Sequence, residues 1–202
     1  MVLKAVLTGG PCAGKTSCLL AIRARFGEQV VTLPEAATLL LGSGFPPPGH
    51  ASIHCSPEEW ISAFQGAILS IQQEVEVSFE RLAWNCRVRL IVCDRGVLDG
   101  AAYWPGGREP FLHHFGLSLD DCFGRYRSVL HLQSLAESHP HLYGPEGNAI
   151  RYEDVADALR VERAVRAAWQ GHPGLILIPA EIEPRIKIAR VLEVIEALLA
   201  LS

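Results

Sequence analysis

The segment LTGGPCAGKTS, Leu7 to Ser17, constrains this chain more than any other part of it. It satisfies G-x-x-x-x-G-K-[ST] through Gly9, Gly14, Lys15 and Thr16. It also stands between an apolar run, Leu3–Thr8, and a helical pattern, Lys15–Phe26. That strand–loop–helix context separates a phosphate cradle from an ordinary glycine-rich turn. Glycines let successive amide hydrogens point inward, and the helix N-terminus adds the positive end of its dipole. Gly9, Gly10, Pro11, Cys12, Ala13, Gly14, Lys15, Thr16 and Ser17 are therefore the expected nucleotide-binding set. Lys15 is expected on the β- and γ-phosphates and the Thr16 hydroxyl on Mg²⁺. Cys12 sits inside this loop, where a helix end can activate a thiol. The competing reading is a small side chain turned away from a loop that works through its backbone.

The rest of the chain alternates in the same rhythm. Apolar stretches at Leu3–Thr8, Gln29–Leu33, Arg89–Cys93, Ser128–Leu132 and Leu175–Ile178 are near-continuous in Val, Leu and Ile, as strands covered on both faces are. Helical patterns separate them: Lys15–Phe26 stopping at Gly27, a long helix opened by the capping box Ser56-Pro57-Glu58-Glu59 and running to about Trp84, one from about Tyr152 to Gln170, and one from about Glu183 to Leu201. Crossovers of this length predict a parallel sheet in a three-layer α/β/α sandwich. At 202 residues a single domain is expected. Gly42–His54 and His139–Asn148 are rich in turn formers, and loops of that length are commonly functional.

Composition narrows the classes. With 18 Lys+Arg against 22 Asp+Glu, the net charge of −4 gives no general reason to expect nucleic acid or an anionic membrane as partner. No run reaches the roughly 20 apolar residues of a membrane helix. Six cysteines without a CxxC pair read as reduced thiols of a cytoplasmic protein.

Parallel sheets bind ligands at the carboxyl ends of their strands, and two acids follow strands directly. Asp94 closes LIVCDR and is the expected partner of Mg²⁺ together with Thr16. Glu35 follows VVTLP and is either the base for an acceptor hydroxyl or a helix start. Arg95, rather than a second acid, follows Asp94, so the glutamate that hydrolytic motors place there to activate water is missing. Asp-Arg is similar instead to the small-molecule kinases, where the pair grips metal, phosphates or acceptor. Asp99 and Tyr103 lie four apart and line an acceptor pocket or only cap and pack. Trp60, Phe64 and Trp84 are expected in the core. Phe45 with Pro46-Pro47-Pro48 forms a cleft wall or a stiff connector. Arg160, Arg163 and Arg166 read mainly as a solvated face, and no histidine spacing suits a closed zinc site.

Taken together, LTGGPCAGKT, Pro34-Glu35-Ala36-Ala37, DRGVLDGAAY, Leu142-Tyr143 with Asn148-Ala149-Ile150-Arg151, the Trp169–Pro173 helix end and Lys187 make the chain resemble a known group. It is the P-loop AAA-type domain shared by the ribosylnicotinamide kinase part of the NadR protein and by the TRPL translocation defect protein. The resemblance covers essentially the whole chain. It implies a nucleoside-kinase-like P-loop NTPase fold with strand order 2-3-1-4-5, Mg-nucleotide binding, and an arginine-bearing lid over about 134–151 in which Arg151 contacts phosphate. Asn148-Ala149 departs from the Asn-Pro frequent in that family.

Three functions follow. The first is transfer of the ATP γ-phosphate to a small hydroxyl acceptor such as a nucleoside, with Lys15, Glu35, Asp94, Arg95 and Arg151 as the catalytic set. The second is a nucleotide-dependent regulatory binding protein with slow or no hydrolysis. GTP is possible in either, although the Asn-Lys-x-Asp pattern that reads guanine is missing: Asn85 and Asn148 are the only asparagines and neither precedes Lys. The third, a hexameric AAA machine, is disfavoured by the missing second acid and by the lack of room for an extra helical domain.

Overall fold

The computed structural model describes residues 2–50, 54–84, 86–138 and 155–201. Five strands, β1 (Leu3–Thr8), β2 (Val30–Leu33), β3 (Leu90–Asp94), β4 (Ser128–Leu132) and β5 (Leu175–Ile178), form one sheet in the order β2-β3-β1-β4-β5. Every pairing is parallel, with Leu7 opposite Asp94 on one side of β1 and opposite Leu130 on the other. The strand order 2-3-1-4-5 is the one the resemblance implies. The expected strand boundaries shift by one residue at β2 and β3, where Gln29 closes a 3₁₀ turn (Gly27–Gln29) and Asp94 still pairs with β1.

The helices are α1 (Lys15–Phe26), α2 (Ala36–Gly42), α3 (Pro57–Ala83), α4 (Arg108–Phe115), α5 (Leu119–Gly124), α6 (Leu135–Ser138), α7 (Val155–Trp169) and α8 (Pro184–Ala200), with a 3₁₀ helix over Asp99–Tyr103. The near-continuous apolar strands are explained by two cores. Ala5, Leu7, Leu90, Val92, Leu130 and Leu132 face α1 and α8, burying Ile22, Val191 and Ile195. Their neighbours Val6, Ile91, Cys93 and Val129 face the opposite way, onto Leu69 of α3 and Val161, Val165 and Trp169 of α7. Alternate residues therefore go to opposite layers, and both are dry.

Local chemistry sets the helix ends. Ser56 Oγ accepts from the Glu59 N–H at 3.1 Å while Glu59 Oε2 accepts from the Ser56 N–H at 2.7 Å, the reciprocal capping expected of Ser-Pro-Glu-Glu. Gly27 ends α1 at φ 52°. On the inner face of α3, fully buried Glu76 accepts from Lys4 Nζ at 2.9 Å, Arg125 Nη2 at 2.8 Å and Tyr126 Oη at 2.6 Å, tying α3 to β1 and to the start of β4. One core expectation fails: Trp84 is 78% exposed, because α3 runs past the sheet and ends at Ala83.

With β1 central, successive connections lead to opposite sides of it, and the crevice opens at the carboxyl ends of β1 and β3. Thr8, Glu35 and Asp94 are all carried to that edge.

Candidate functional site

The loop after β1 turns on backbone that most side chains resist. Gly9 has φ +138°, and a Cβ there would sit 2.3 Å from the Leu132 carbonyl oxygen, so only glycine fits. Cys12 takes φ 59° without being glycine and is exposed, and Gly14 is the residue before α1. Lys15 Nζ donates to the Gly9 and Gly10 carbonyls, each at 3.1 Å, curling over the loop. Burial, then the Arg95 charge, pulls the Lys15 ammonium down to about 8 against the opposing pull of Asp94, Glu35 and Asp99.

The loop is held from behind by side chains far away in sequence. Glu162 of α7, 1% exposed, accepts from the Gly10 N–H at 2.7 Å, and its other oxygen lies 2.7 Å from Nε2 of buried His131. Ser134 Oγ donates to the Pro11 carbonyl at 3.0 Å. Lys187 Nζ, at the start of α8, donates to the Ala13 carbonyl at 3.0 Å and the Gln133 carbonyl at 2.7 Å. Sequence reasoning singled out Lys187 but missed Glu162, His131 and Ser134. A signal for Glu162 existed: it falls within the buried stripe of α7 made by Ala158, Val161, Val165 and Trp169, where an unpaired acid does not belong.

Beside the loop, Glu35, Asp94, Arg95 and Asp99 converge. Arg95 holds a left-handed φ of 69°. Its Nε donates to Glu35 Oε1 at 2.5 Å, and its Nη1 lies 3.3 Å from Asp99 Oδ1. Asp99 also accepts from the Gly96 N–H and from Trp169 Nε1, each at 2.9 Å, and from the Thr8 hydroxyl. Asp99 both borders the cavity described below and packs, since its carboxylate is taken up by these four donors and acts as a strut beneath Arg95. Burial works against the Glu35 carboxylate, yet Arg95, Thr38 and Lys15 hold its titration below the ordinary value. Burial raises Asp94 to about 6, with Glu35 and Asp99 adding to it against Lys15 and Arg95. Asp94 Oδ1 is buried and has no hydrogen-bond partner. That is the condition expected of a ligand awaiting a cation.

Two cavities meet at Glu35. One, of about 370 Å³, runs between α2, α3 and the Asp99–Tyr103 turn, with Glu35 and Arg95 at one end. Its walls include half-buried Trp60 and buried Phe64, whose rings stack at 4.6 Å; neither joins the two sheet cores, so both are cavity lining. Phe45 packs behind them, 5.3 Å from the Phe64 ring, and serves as the connector rather than the wall. Tyr103 does line the space. So does Gln65, 4% exposed, whose Oε1 has no partner. The second cavity, of about 260 Å³, is bounded by Thr16, Arg23, Pro34, Glu35, Thr38 and Asp94.

The structure thus brings together Gly9 to Ser17, Glu35, Asp94 and Arg95. Arg151 and positions 139–154, most of the expected lid, lie outside the described residues. Arg160, Arg163 and Arg166 are exposed on α7. Among the described residues no helix is long and apolar enough to cross a membrane.

A family model described as an AAA domain matches residues 4–185. No curated protein matches the chain in sequence. Among solved structures, the chain is similar to a deoxyadenosine kinase from M. mycoides, solved with its products dCMP and dCDP bound. The two are 10% identical, superpose with a TM-score of 0.57, and the match covers 96% of this chain and 100% of that one. At that identity the likeness speaks for the shared P-loop kinase fold alone.

Proposed function

The chain belongs to the AAA domain family, and from that premise we propose that it is a phosphotransferase moving the γ-phosphate of ATP to a hydroxyl of a small acceptor, a nucleoside fitting best. One observation carries the reading: an ionised carboxylate, Glu35, stands at the junction of the phosphate-loop cleft and a largely apolar cavity.

The loop amides and Lys15 hold the triphosphate, with Lys15 recovering its full charge beside the γ-phosphate. Thr16 and Asp94 suit Mg²⁺, since both border one cleft and an Asp94 oxygen is buried unpartnered. When bound, the ion supplies positive charge to the phosphate oxygens. The acceptor lies in the larger cavity with its hydroxyl toward Glu35. Its oxygen bonds to the γ-phosphorus as the bridging bond to the β-phosphate breaks; the hydroxyl proton passes to Glu35, and ADP leaves. Arg95 keeps Glu35 ionised and placed.

The aromatic walls and the Gln65 oxygen support a flat ring carrying an N–H donor as the rest of the acceptor. Resemblance to the ribosylnicotinamide kinase part of NadR supports the same class, whereas the resemblance to the TRPL protein bears on the nucleotide site alone. A single domain over 1–202, a lid over about 134–151 with Arg151 on phosphate, GTP as an alternative donor and a cytoplasmic location for the six free thiols belong to the same proposal.

The test is transfer of label from γ-labelled ATP to a panel of nucleosides, with Glu35→Gln alongside. A labelled nucleoside product is expected, and Glu35→Gln should bind ATP normally without turning over. No product with any acceptor, or full turnover by Glu35→Gln, would remove the reading.

A further inference from the structure

We propose that Thr38 is a positioning residue for this reaction: its hydroxyl pins the second oxygen of Glu35, fixing the carboxylate at the partition between the acceptor cavity and the phosphate cleft. The proposal rests on the reading of Glu35 as base.

Glu35 stands immediately before α2 with φ −62° and ψ 122°, the geometry of a residue that starts a helix. A carboxylate there ordinarily turns back onto a backbone N–H two or three residues on. Glu35 makes no such bond. Its Oε2 accepts instead from Thr38 Oγ1 at 2.7 Å, while Oε1 accepts from Arg95 Nε at 2.5 Å. The two donors come from different elements, the first turn of α2 and the end of β3. Arg95 alone engages one oxygen and leaves the carboxylate free to swing about that contact. Thr38 supplies the second point of attachment.

The position of Thr38 matches that task. It borders both cavities, as Glu35 does, so the hydrogen bond lies in the wall the two spaces share. Each carboxylate oxygen can accept more than one hydrogen bond. With one site on each oxygen taken, a free lone pair remains for the acceptor's proton. Thr38 is exposed and contributes nothing to either core, so its hydroxyl has no evident stabilising duty. The groups acting on Glu35 are Arg95 after β3, Lys15 at the start of α1 and Thr38 on α2, all favouring the ionised form, with burial opposing them. Asp94 and Asp99 flank Arg95 and remain unchanged in the variants below.

Thr38→Val keeps the shape and the helix preference and removes only the donor; Thr38→Ser restores it. With an acceptor that the parent protein phosphorylates, Thr38→Val should lower kcat about tenfold, leave both KM values within about twofold, and move the acid limb of the kcat profile to higher pH. The direction follows because a carboxylate that loses a donor to its charged form is harder to ionise. Thr38→Ser should return all three. Independently of any acceptor, the Glu35 carboxyl followed by carbon NMR should titrate at higher pH in Thr38→Val than in the parent and recover in Thr38→Ser. Unchanged titration in Thr38→Val, or a Thr38→Ser protein as impaired as Thr38→Val, overturns the inference. An inactive Glu35→Gln beside a fully active Thr38→Val overturns the positioning role alone, whereas an active Glu35→Gln overturns the base assignment beneath it.

Discussion

The depressed ammonium of Lys15 makes nucleotide affinity depend on pH in a way that can be worked out beforehand. In the free protein Lys15 titrates at about 8, since burial and Arg95 oppose its charge. A bound polyphosphate reverses the balance and keeps Lys15 protonated throughout the accessible range. Below pH 8 the ammonium is already charged and binding needs no proton; above it, binding must take one up. Affinity therefore falls as pH rises. At pH 9 only about one molecule in eleven carries the charge, against about ten in eleven at pH 7, so the dissociation constant should rise about tenfold, or about 1.4 kcal/mol, between the two. The phosphates titrate near pH 6 and do not contribute there. Calorimetry of a non-hydrolysable ATP analogue reads this directly. Runs in two buffers of different ionisation enthalpy should report close to one proton taken up at pH 9 and almost none at pH 7. Lys15→Arg stays charged and should flatten the curve, whatever its absolute affinity. A parent protein whose affinity is level from pH 7 to 9.5, with no proton uptake, refutes the argument.

Three further outcomes follow from the geometry. Glu76→Gln leaves Arg125 without its carboxylate partner and Lys4 with Glu80 alone, and should cost about 3 kcal/mol, a fall of roughly 10 °C in Tm by calorimetry. Burial raises the Glu76 carboxyl but Lys4, Tyr126 and Arg125 bring it below its ordinary value, so its contribution is present above the usual carboxylate range and is lost as pH falls through the folded value. Asp99→Asn removes the charged strut under Arg95 and should reduce kcat about tenfold or more while ATP affinity, measured by calorimetry, is kept. Gln65→Leu should raise the acceptor KM about tenfold with kcat unchanged, and should erase any preference between a nucleoside and its ring-N-methylated analogue.

What could be read in the sequence was what is local. The β1–loop–α1 unit is written in one stretch of a few residues, and Glu35 and Asp94 are legible because one stands two residues past β2 and the other closes β3. The strands were legible because two dry cores demand apolar residues at every position. What escaped was decided over distance. The Glu162 bond to Gly10 spans 152 positions, and nothing near either residue announces the other. Gln65 looks like any polar residue on a long helix until α3 turns it toward Gly100. Trp84 was misplaced for the opposite reason: helical periodicity continued past the end of the surface it packs on.

The anchoring of the phosphate loop from both sides of one chain segment has a practical corollary. Ser134 and Glu162, on either side of the stretch between β4 and α7, are each bonded to neighbouring residues of that loop. The described chain before and after residues 139–154 is therefore tied to the same loop. Substitution of Ser134 or Glu162 loosens the backbone of the loop at Pro11 or Gly10 from outside it, so that nucleotide binding suffers from a change remote from the phosphates.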